Sequence, residues 1–319
     1  MHEFELINKY FAKISKKNKA ALNLNDDVFF DNKKGIVISM DTYTNGVHFV
    51  NFKTPNLVIK KILRSSISDL ICKGVRPKFY FISGSGNSKT FTKKNLLKIS
   101  KSLKNEQQIY DLNLCGGDTT FSNKLSFTIT SVGYSKKIVY RNKADVNDDI
   151  YVTGNLGDSY IGLLSLKNKI KLKKKLKEYF IKQYYEPKLA LILVNKLQKF
   201  ANTSIDISDG LLADLSKLIN AQKLSYKINL QKIPISQNLK KIIDEKKLSK
   251  IKLISNGDDY QALFTASPSK RRIIKMIASK EKIKITNIGT IKKNIKKSLI
   301  VNEKNIEISL KNKGYLHQF

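Results

Sequence analysis

Six short clusters place acidic residues beside Gly, Ser, Thr or Asn: Asn25-Asp26-Asp27, Ser39-Met40-Asp41, Ser68-Asp69, Gly116-Gly117-Asp118-Thr119-Thr120, Asp206-Ile207-Ser208-Asp209-Gly210 and Asn256-Gly257-Asp258-Asp259-Tyr260. They stand out in a chain with 60 Lys+Arg against 26 Asp+Glu. Several follow an apolar run, where a strand delivers its last side chains to a surface. With the two-residue period of a strand, Ser39 and Asp41 share a face, and so do Asp206 and Ser208. Paired oxygen donors suit a hard cation such as Mg²⁺, which is usually held by a few carboxylates together with substrate phosphates. A zinc site is excluded by composition, because the histidines lie at 2, 48 and 317 and no paired cysteine spacing exists.

The segment around Asp209 admits two readings. Ser208 or Asp209 could cap the apolar helix that begins with Leu211 and Leu212, since both residue types are preferred there. A cap has no need of Asp206, which favours a ligand role. In Gly116-Gly117-Asp118, two glycines let backbone approach a phosphate while an acid stands beside them. Two tempting motifs fail. Gly84 to Thr90 lacks the spacing of a phosphate-binding P-loop and reads as a surface loop, and no dinucleotide fingerprint opens a helix. No Ser-His-Asp or Cys-His arrangement indicates nucleophilic hydrolysis. Composition and spacing alone therefore stop at a Mg²⁺-dependent enzyme acting on a phosphate compound, in which metal and positioning do the work.

The elements that position these clusters alternate along the first 135 residues: a short helix near the N-terminus burying Phe4, Leu6, Ile7, Tyr10, Phe11 and Ile14, a strand at Ile36 to Asp41, a helix at Leu57 to Cys72, a strand at Phe79 to Ser83, a helix at Lys93 to Lys104, and strands at Leu112 to Cys115 and Leu125 to Tyr134. A polar stretch, Arg141 to Asp149, marks a domain boundary near 140, giving domains 1–140 and 141–319. The second half mixes helices (Leu176 to Tyr185, Lys188 to Phe200, Leu211 to Asn220) with strands (Ile150 to Thr153, Ser204 to Ile207, Tyr226 to Leu230, Leu263 to Ala266).

The chain of 319 residues is 41% hydrophobic, enough to build cores despite a formal net charge of +34. Its two cysteines, Cys72 and Cys115, are expected to be buried thiols in a reducing cytoplasm rather than a disulfide. The longest apolar run, Leu189 to Val194, is far short of a membrane span. Only five of the basic residues are arginine, the side chain that reads bases and clamps phosphates, which argues against specific nucleic-acid binding.

Taken in order, the clusters resemble a known family. Glu3-Phe4-Glu5-Leu6-Ile7, Asp26-Asp27, Asp41-Thr42 with Gly46-Val47-His48-Phe49, Ser68-Asp69-Leu70, Gly116 to Thr120, Tyr151-Val152-Thr153-Gly154 with Gly157-Asp158-Ser159, Ile205 to Leu211, Gly257-Asp258-Asp259-Tyr260 and Lys313-Gly314-Tyr315 are similar to the motifs of thiamine-monophosphate kinases. The resemblance implies an α+β (mixed α/β) two-domain fold similar to aminoimidazole ribonucleotide synthetase, with an N-terminal domain that dimerises through its sheet. It implies transfer of the ATP γ-phosphoryl group to thiamine monophosphate, with several Mg²⁺ ions. Position by position it makes Asp27, Ser39, Asp41, Asp69, Asp118, Asp206 and Asp209 metal ligands, with Asp41 and Asp209 at the catalytic centre. Tyr110, Gly117, Asp118, Arg141 and Ser208 would contact ATP, and His48, Asp258 and Tyr315 the thiamine phosphate.

Four departures from the family pattern accompany the match. Asn23-Leu24-Asn25 replaces Gly-Ile-Gly, leaving that loop less free to adopt positive φ. Met40 stands where Thr is common, Asp258 replaces Glu, and Phe121-Ser122-Asn123 replaces Arg-Gly-Pro. Two other functions compete: another ATP-dependent enzyme of the same superfamily with a different acceptor, and a non-catalytic basic protein that binds polyanions.

Overall fold

The computed structural model describes residues 3–293 and 297–308. The chain enters through α1 (Glu3–Leu6), a wide helical turn (Ile7–Phe11) and α2 (Ala12–Ser15). A first sheet follows, built from β1 (Phe29–Asp31), β2 (Ile36–Thr44), β3 (Pro77–Gly86), β4 (Asn113–Leu114), β5 (Thr119–Phe121) and β6 (Ser126–Tyr134) in the order β1-β2-β6-β3-β4, with β5 paired to β3. Two long helices, α3 (Pro55–Cys72) and α4 (Lys93–Tyr110), belong to this half. The second sheet combines β7 (Asp149–Thr153), β8 (Thr203–Asp206), β9 (Leu224–Asn229), β10 (Ala262–Ala266), β11 (Ile285–Lys293) and β12 (Leu299–Val301) in the order β12-β9-β11-β7-β10-β8. Its helices are α5 (Asp158–Leu166), α6 (Lys174–Tyr185), α7 (Leu211–Leu218), α8 (Gln237–Lys246), α9 (Lys250–Ile254) and α10 (Arg271–Lys280).

Helix α3 ties the two halves together. Pro55 suits its first turn, where the missing N–H costs nothing. It stops at Gly74, whose φ of +76° permits the left-handed turn in which the Gly74 N–H bonds Ile71 O (2.9 Å) and the Val75 N–H bonds Leu70 O (2.9 Å). Along the helix, Val58, Ile59, Ile62, Leu63, Ile67 and Ile71 are buried in the core. Lys61, Ser65, Asp69 and Lys73 recur every four residues, so they form one polar stripe along the helix.

The inner face of the first sheet carries Tyr43, Phe127 and Ile129 into that core, and Val37 into a neighbouring cluster with Phe30 and Leu70, as the alternating burial of β2 and β6 requires. Its outer face leaves Met40, Phe81 and Tyr134 exposed, with Leu114 and Phe121 exposed along the same edge. In the second sheet, Phe264 is fully buried. Its ring stacks on Tyr151 at 5.2 Å and packs against Phe200 at 5.4 Å.

Four expectations are corrected. Residues 188–200 do not form an α-helix: two short 3-10 turns, Leu191–Leu193 and Leu197–Lys199, flank Asn195, which takes φ +62° and donates its N–H to Gly74 O at 3.1 Å. Docking to the end of α3 outweighs the helical spacing there. The N-terminal helical turns leave Tyr10, Phe11 and Ile14 exposed, because no other described element covers that face. The segment from Gly84 is not all loop, since β3 continues through Gly86, packing against Phe91, before the turn at Asn87 to Thr90. Cys115 is exposed, and only Cys72 is buried.

Phe264→Ala removes a ring enclosed by two other aromatics. The expected loss is about 3–5 kcal/mol, measured by equilibrium unfolding in guanidinium chloride. A loss below about 1 kcal/mol would mean that the ring is not part of a close-packed core.

Candidate active site

A cavity of about 540 Å³ opens where the ends of β2 and β8 meet the polar stripe of α3. Each wall is set by local backbone logic. Strand alternation turns Asp41 and Tyr43 to the α3 side of β2, and the Tyr43 hydroxyl donates to Asp41 Oδ2 at 3.2 Å. Strand β8 ends on Asp206, and the chain continues as Ser208 and Asp209 along the cleft. The loop carrying Asp258 lies directly on this segment: the Asp258 N–H bonds Ser208 O (2.8 Å) and the Tyr260 N–H bonds Ile207 O (2.8 Å). Gly257 makes that contact possible, because a Cβ there would stand 1.6 Å from Ser208 O.

The helix beside Asp209 is capped from within. Asp214 Oδ2 accepts the N–H groups of Asp209 (2.9 Å) and Gly210 (3.0 Å), and α7 begins at Leu211, so neither Ser208 nor the Asp209 carboxylate serves as its cap. The Asp209 side chain is ion-paired with Lys217 and lines the cavity.

Charge is distributed unevenly over the cluster. Burial raises the pKa of Asp27, but Lys73 and Arg141 outweigh it and hold this carboxyl at about 2. Both its oxygens are in ion pairs, Oδ2 with Lys73 (2.7 Å) and Oδ1 with Arg141 (3.2 Å). Asp41, Asp69 and Asp206 have no ion pair among the described residues. Burial, reinforced by the neighbouring Asp27 charge, pushes Asp41 to about 7 and Asp206 to about 8. Asp69 is pushed well above the usual range by burial and then by Asp41 and Asp206. Such acids ionise together only with a cation among them.

The donor set, carboxylates with hydroxyl and carbonyl oxygens, fits Mg²⁺. Among the described residues no three acids are yet gathered around one ion position.

One cleft brings together Asp27, Asp41, Asp69, Asp206, Ser208, Asp209, Arg141, His48 and Asp258. His48 Nδ1 accepts the Thr44 N–H at 3.0 Å, which places the proton of the neutral ring on Nε2. Other expected residues lie elsewhere. Ser39 is buried behind Asp41, its hydroxyl donating to Ser66 O at 3.2 Å. Tyr110 is buried in the core beneath the Arg64 guanidinium, 5.5 Å from its ring centre, and does not line this cleft. Gly117 and Asp118 stand at the far edge of the sheet, where Gly116 O accepts from Ile82 N (3.0 Å) and Asp118 O from Gly84 N (2.8 Å). Tyr315 lies outside the described residues.

The loop at Asn23 and Leu24 adopts positive φ despite having no glycine, at +57° and +53°. Reciprocal amide bonds between Asn25 and Asn220 (2.9 and 3.2 Å) hold the next residue.

Sequence reasoning missed the cations. Lys61 is buried, pairs with Asp258 and lies 4.1 Å from the Tyr184 ring centre. Lys73 and Lys217 pair with Asp26, Asp27, Asp209 and Asp214. The available signal was spacing, because Lys61 and Lys73 lie eight residues before and four after Asp69 on one helix stripe.

Residues 17–135 match the family model described as AIR synthase related protein, N-terminal domain. Over 99% of its length the chain is 34% identical to thiamine-monophosphate kinase of Buchnera aphidicola subsp. Acyrthosiphon pisum, covering 98% of that protein. The chain belongs to the thiamine-monophosphate kinase family. The Escherichia coli (strain K12) member is 30% identical, with 99% of this chain and 98% of that protein covered. Among solved structures, AaThiL complexed with AMPPCP and TMP superposes with a TM-score of 0.84 at 26% identity, covering 99% of this chain and 97% of that one. The thiamine monophosphate kinase of Aquifex aeolicus gives 0.79 at 25% identity, with 97% and 99% covered. E. coli HypE, a hydrogenase maturation protein, shares the fold at 14% identity, with a TM-score of 0.67 and 87% and 86% covered. The family's fold is thus the two-sheet architecture described above. No helix among the described residues is long and apolar enough to cross a membrane.

Raised carboxyl pKa values make the metal-free fold sensitive to pH. Asp41 and Asp206 keep their protons in the folded state to about 7 and about 8, whereas the unfolded chain releases them near 3.8. The folded state therefore binds more protons across that window, and stability falls as pH rises through it. In EDTA the thermal midpoint should drop between about pH 5 and about pH 8, and Mg²⁺ should restore more at the higher pH. A midpoint that climbs over this range in EDTA would contradict the assignment.

Proposed function

We propose that this chain transfers the γ-phosphoryl group of ATP to thiamine monophosphate, giving thiamine diphosphate and ADP. The observation that carries the reading is near-full-length membership of the family together with an acid-lined cleft built from both halves. An oxygen of the acceptor phosphate attacks the γ-phosphorus, the bond to the β–γ bridging oxygen breaks, and ADP leaves with that electron pair. The acceptor is ionised near neutral pH, so the chain needs no general base to activate it. When bound, Mg²⁺ would neutralise the phosphates and align them.

Asp41, Asp69, Asp206 and Asp209 are the residues we assign to holding the ions. Arg141, Ser208, Gly117 and Asp118 are assigned to ATP, and His48, Asp258 and Tyr315 to thiamine monophosphate. Lys61 holds Asp258 back toward α3, which favours an orienting role for this shorter acid over a direct reach. A net charge of +34 draws ATP, a polyanion, toward the molecule.

We further propose that the halves divide near residue 140 and that the chain is a cytoplasmic homodimer. The uncovered outer face of the first sheet, with Met40, Phe81 and Tyr134, is the surface assigned to the contact. Pairing there would set the Gly117–Asp118 loop beside the second copy, since Gly116 packs near Phe81.

Two experiments test this. Chromatography of products with Mg²⁺ and ATP should show thiamine diphosphate from thiamine monophosphate and none from thiamine. Asp209→Asn should lower turnover by roughly 10²-fold or more while far-UV circular dichroism stays unchanged. Product from neither acceptor would overturn the reaction. Phe81→Glu should convert a dimer to a monomer in sedimentation, and an unchanged sedimentation coefficient would remove this face from the contact.

A further inference from the structure

Lys73 ends α3 where three parts of the chain meet. Its ammonium lies 2.7 Å from Asp26 Oδ1 and 2.7 Å from Asp27 Oδ2, and donates to the Ser204 carbonyl at 2.9 Å. The side chain is wholly buried. The ammonium is thus ion-paired with two carboxylates and hydrogen-bonded to one carbonyl, although its angle to Asp27 Oδ2 leaves that oxygen without a hydrogen bond. Two carboxylates from different residues plus a backbone carbonyl are the ligands a hard cation takes. The remaining oxygens are also engaged: Asp26 Oδ2 accepts the Arg141 N–H at 2.9 Å and Asp27 Oδ1 meets Arg141 Nη1 at 3.2 Å. Asp41, Asp69 and Asp206, across the same cleft, have no ion pair among the described residues.

We propose that Lys73 is a resident cation behind the wall of the acidic cleft: its ammonium occupies the place between Asp26, Asp27 and the Ser204 carbonyl of β8 that a divalent ion would otherwise take, so the folded chain holds one metal ion fewer than it would without this lysine. The proposal rests on reading the cleft as a divalent-cation site. Being covalently attached, this cation does not exchange with solvent. It holds the Asp26–Asp27 loop against β8, and it leaves Asp27 to orient Arg141 rather than to coordinate metal. Lys73 touches none of the reacting groups by this account and is a positioning residue.

The test counts bound Mn²⁺ per chain by electron paramagnetic resonance at saturation, without nucleotide. Lys73→Met keeps the unbranched stem and removes the charge. The variant should bind one Mn²⁺ more than the parent, and its thermal midpoint should rise more steeply with Mn²⁺. Equal counts and equal slopes would overturn the proposal. Should the variant not fold, Asp27→Asn in the parent decides: an unchanged count supports the proposal, and a count lower by one overturns it. Asp41→Asn separates the underlying reading, since it should lose one ion. If it loses none while Lys73→Met gains one, Asp41 is not a ligand and the proposal stands. No Mn²⁺ bound by parent or variant would overturn both.

Discussion

Like charges crowded at a seam between two sheets must be balanced, and the architecture of this chain is organised around that requirement. Asp27, Asp41, Asp69, Asp206 and Asp209 reach one cleft from loops, strands and a helix that are far apart in sequence. In water, roughly 4 Å between two such charges costs about 1 kcal/mol, and partial burial multiplies this several-fold. A fold that brings them together ionised, with neither cations nor protons to offset the charge, would be driven apart.

The balance is struck in two ways. On one side fixed cations do it: Lys73 and Arg141 hold Asp26 and Asp27, and Lys217 holds Asp209 and Asp214. On the other, Asp41, Asp69 and Asp206 have no ion pair among the described residues and respond by keeping their protons. Helix α3 serves both sides, since Asp69 and Lys73 lie one turn apart on the same stripe. The helix cap supplied by Asp214 completes the arrangement, because it leaves the Asp209 carboxylate for the cleft instead of the backbone.

Elements with strong periodicity were legible in the sequence. The strands carrying Asp41 and Asp206 and the helix carrying Asp69 lie where alternation and helical spacing put them. Residues 188–200 have helical apolar spacing, yet Asn195 takes positive φ and turns its N–H to Gly74 O, which breaks the helix. The N-terminal segment is helical as its spacing predicts, but Tyr10, Phe11 and Ile14 stay exposed while Leu6 and Ile7 are half-buried, since burial depends on a surface that local spacing does not specify. Tyr110 followed the family pattern into a nucleotide role, whereas this chain packs it under Arg64, whose partner is Glu106.

By itself, the sequence determined the candidate set, clustered acids with hydroxyls and glycines and too few histidines for zinc, and an order of motifs that places the chain in its family. Those are properties of composition and spacing. Tertiary structure alone decided which acids face a common cleft, which of them are already neutralised, and that Lys61, Lys73 and Lys217 belong to the site. The reason is that charge compensation acts through space, over a few ångströms, between residues as far apart as Lys61 and Asp258. Helical spacing puts Lys61 and Lys73 on the stripe of Asp69, but only the fold shows that they and Lys217 meet carboxylates instead of water.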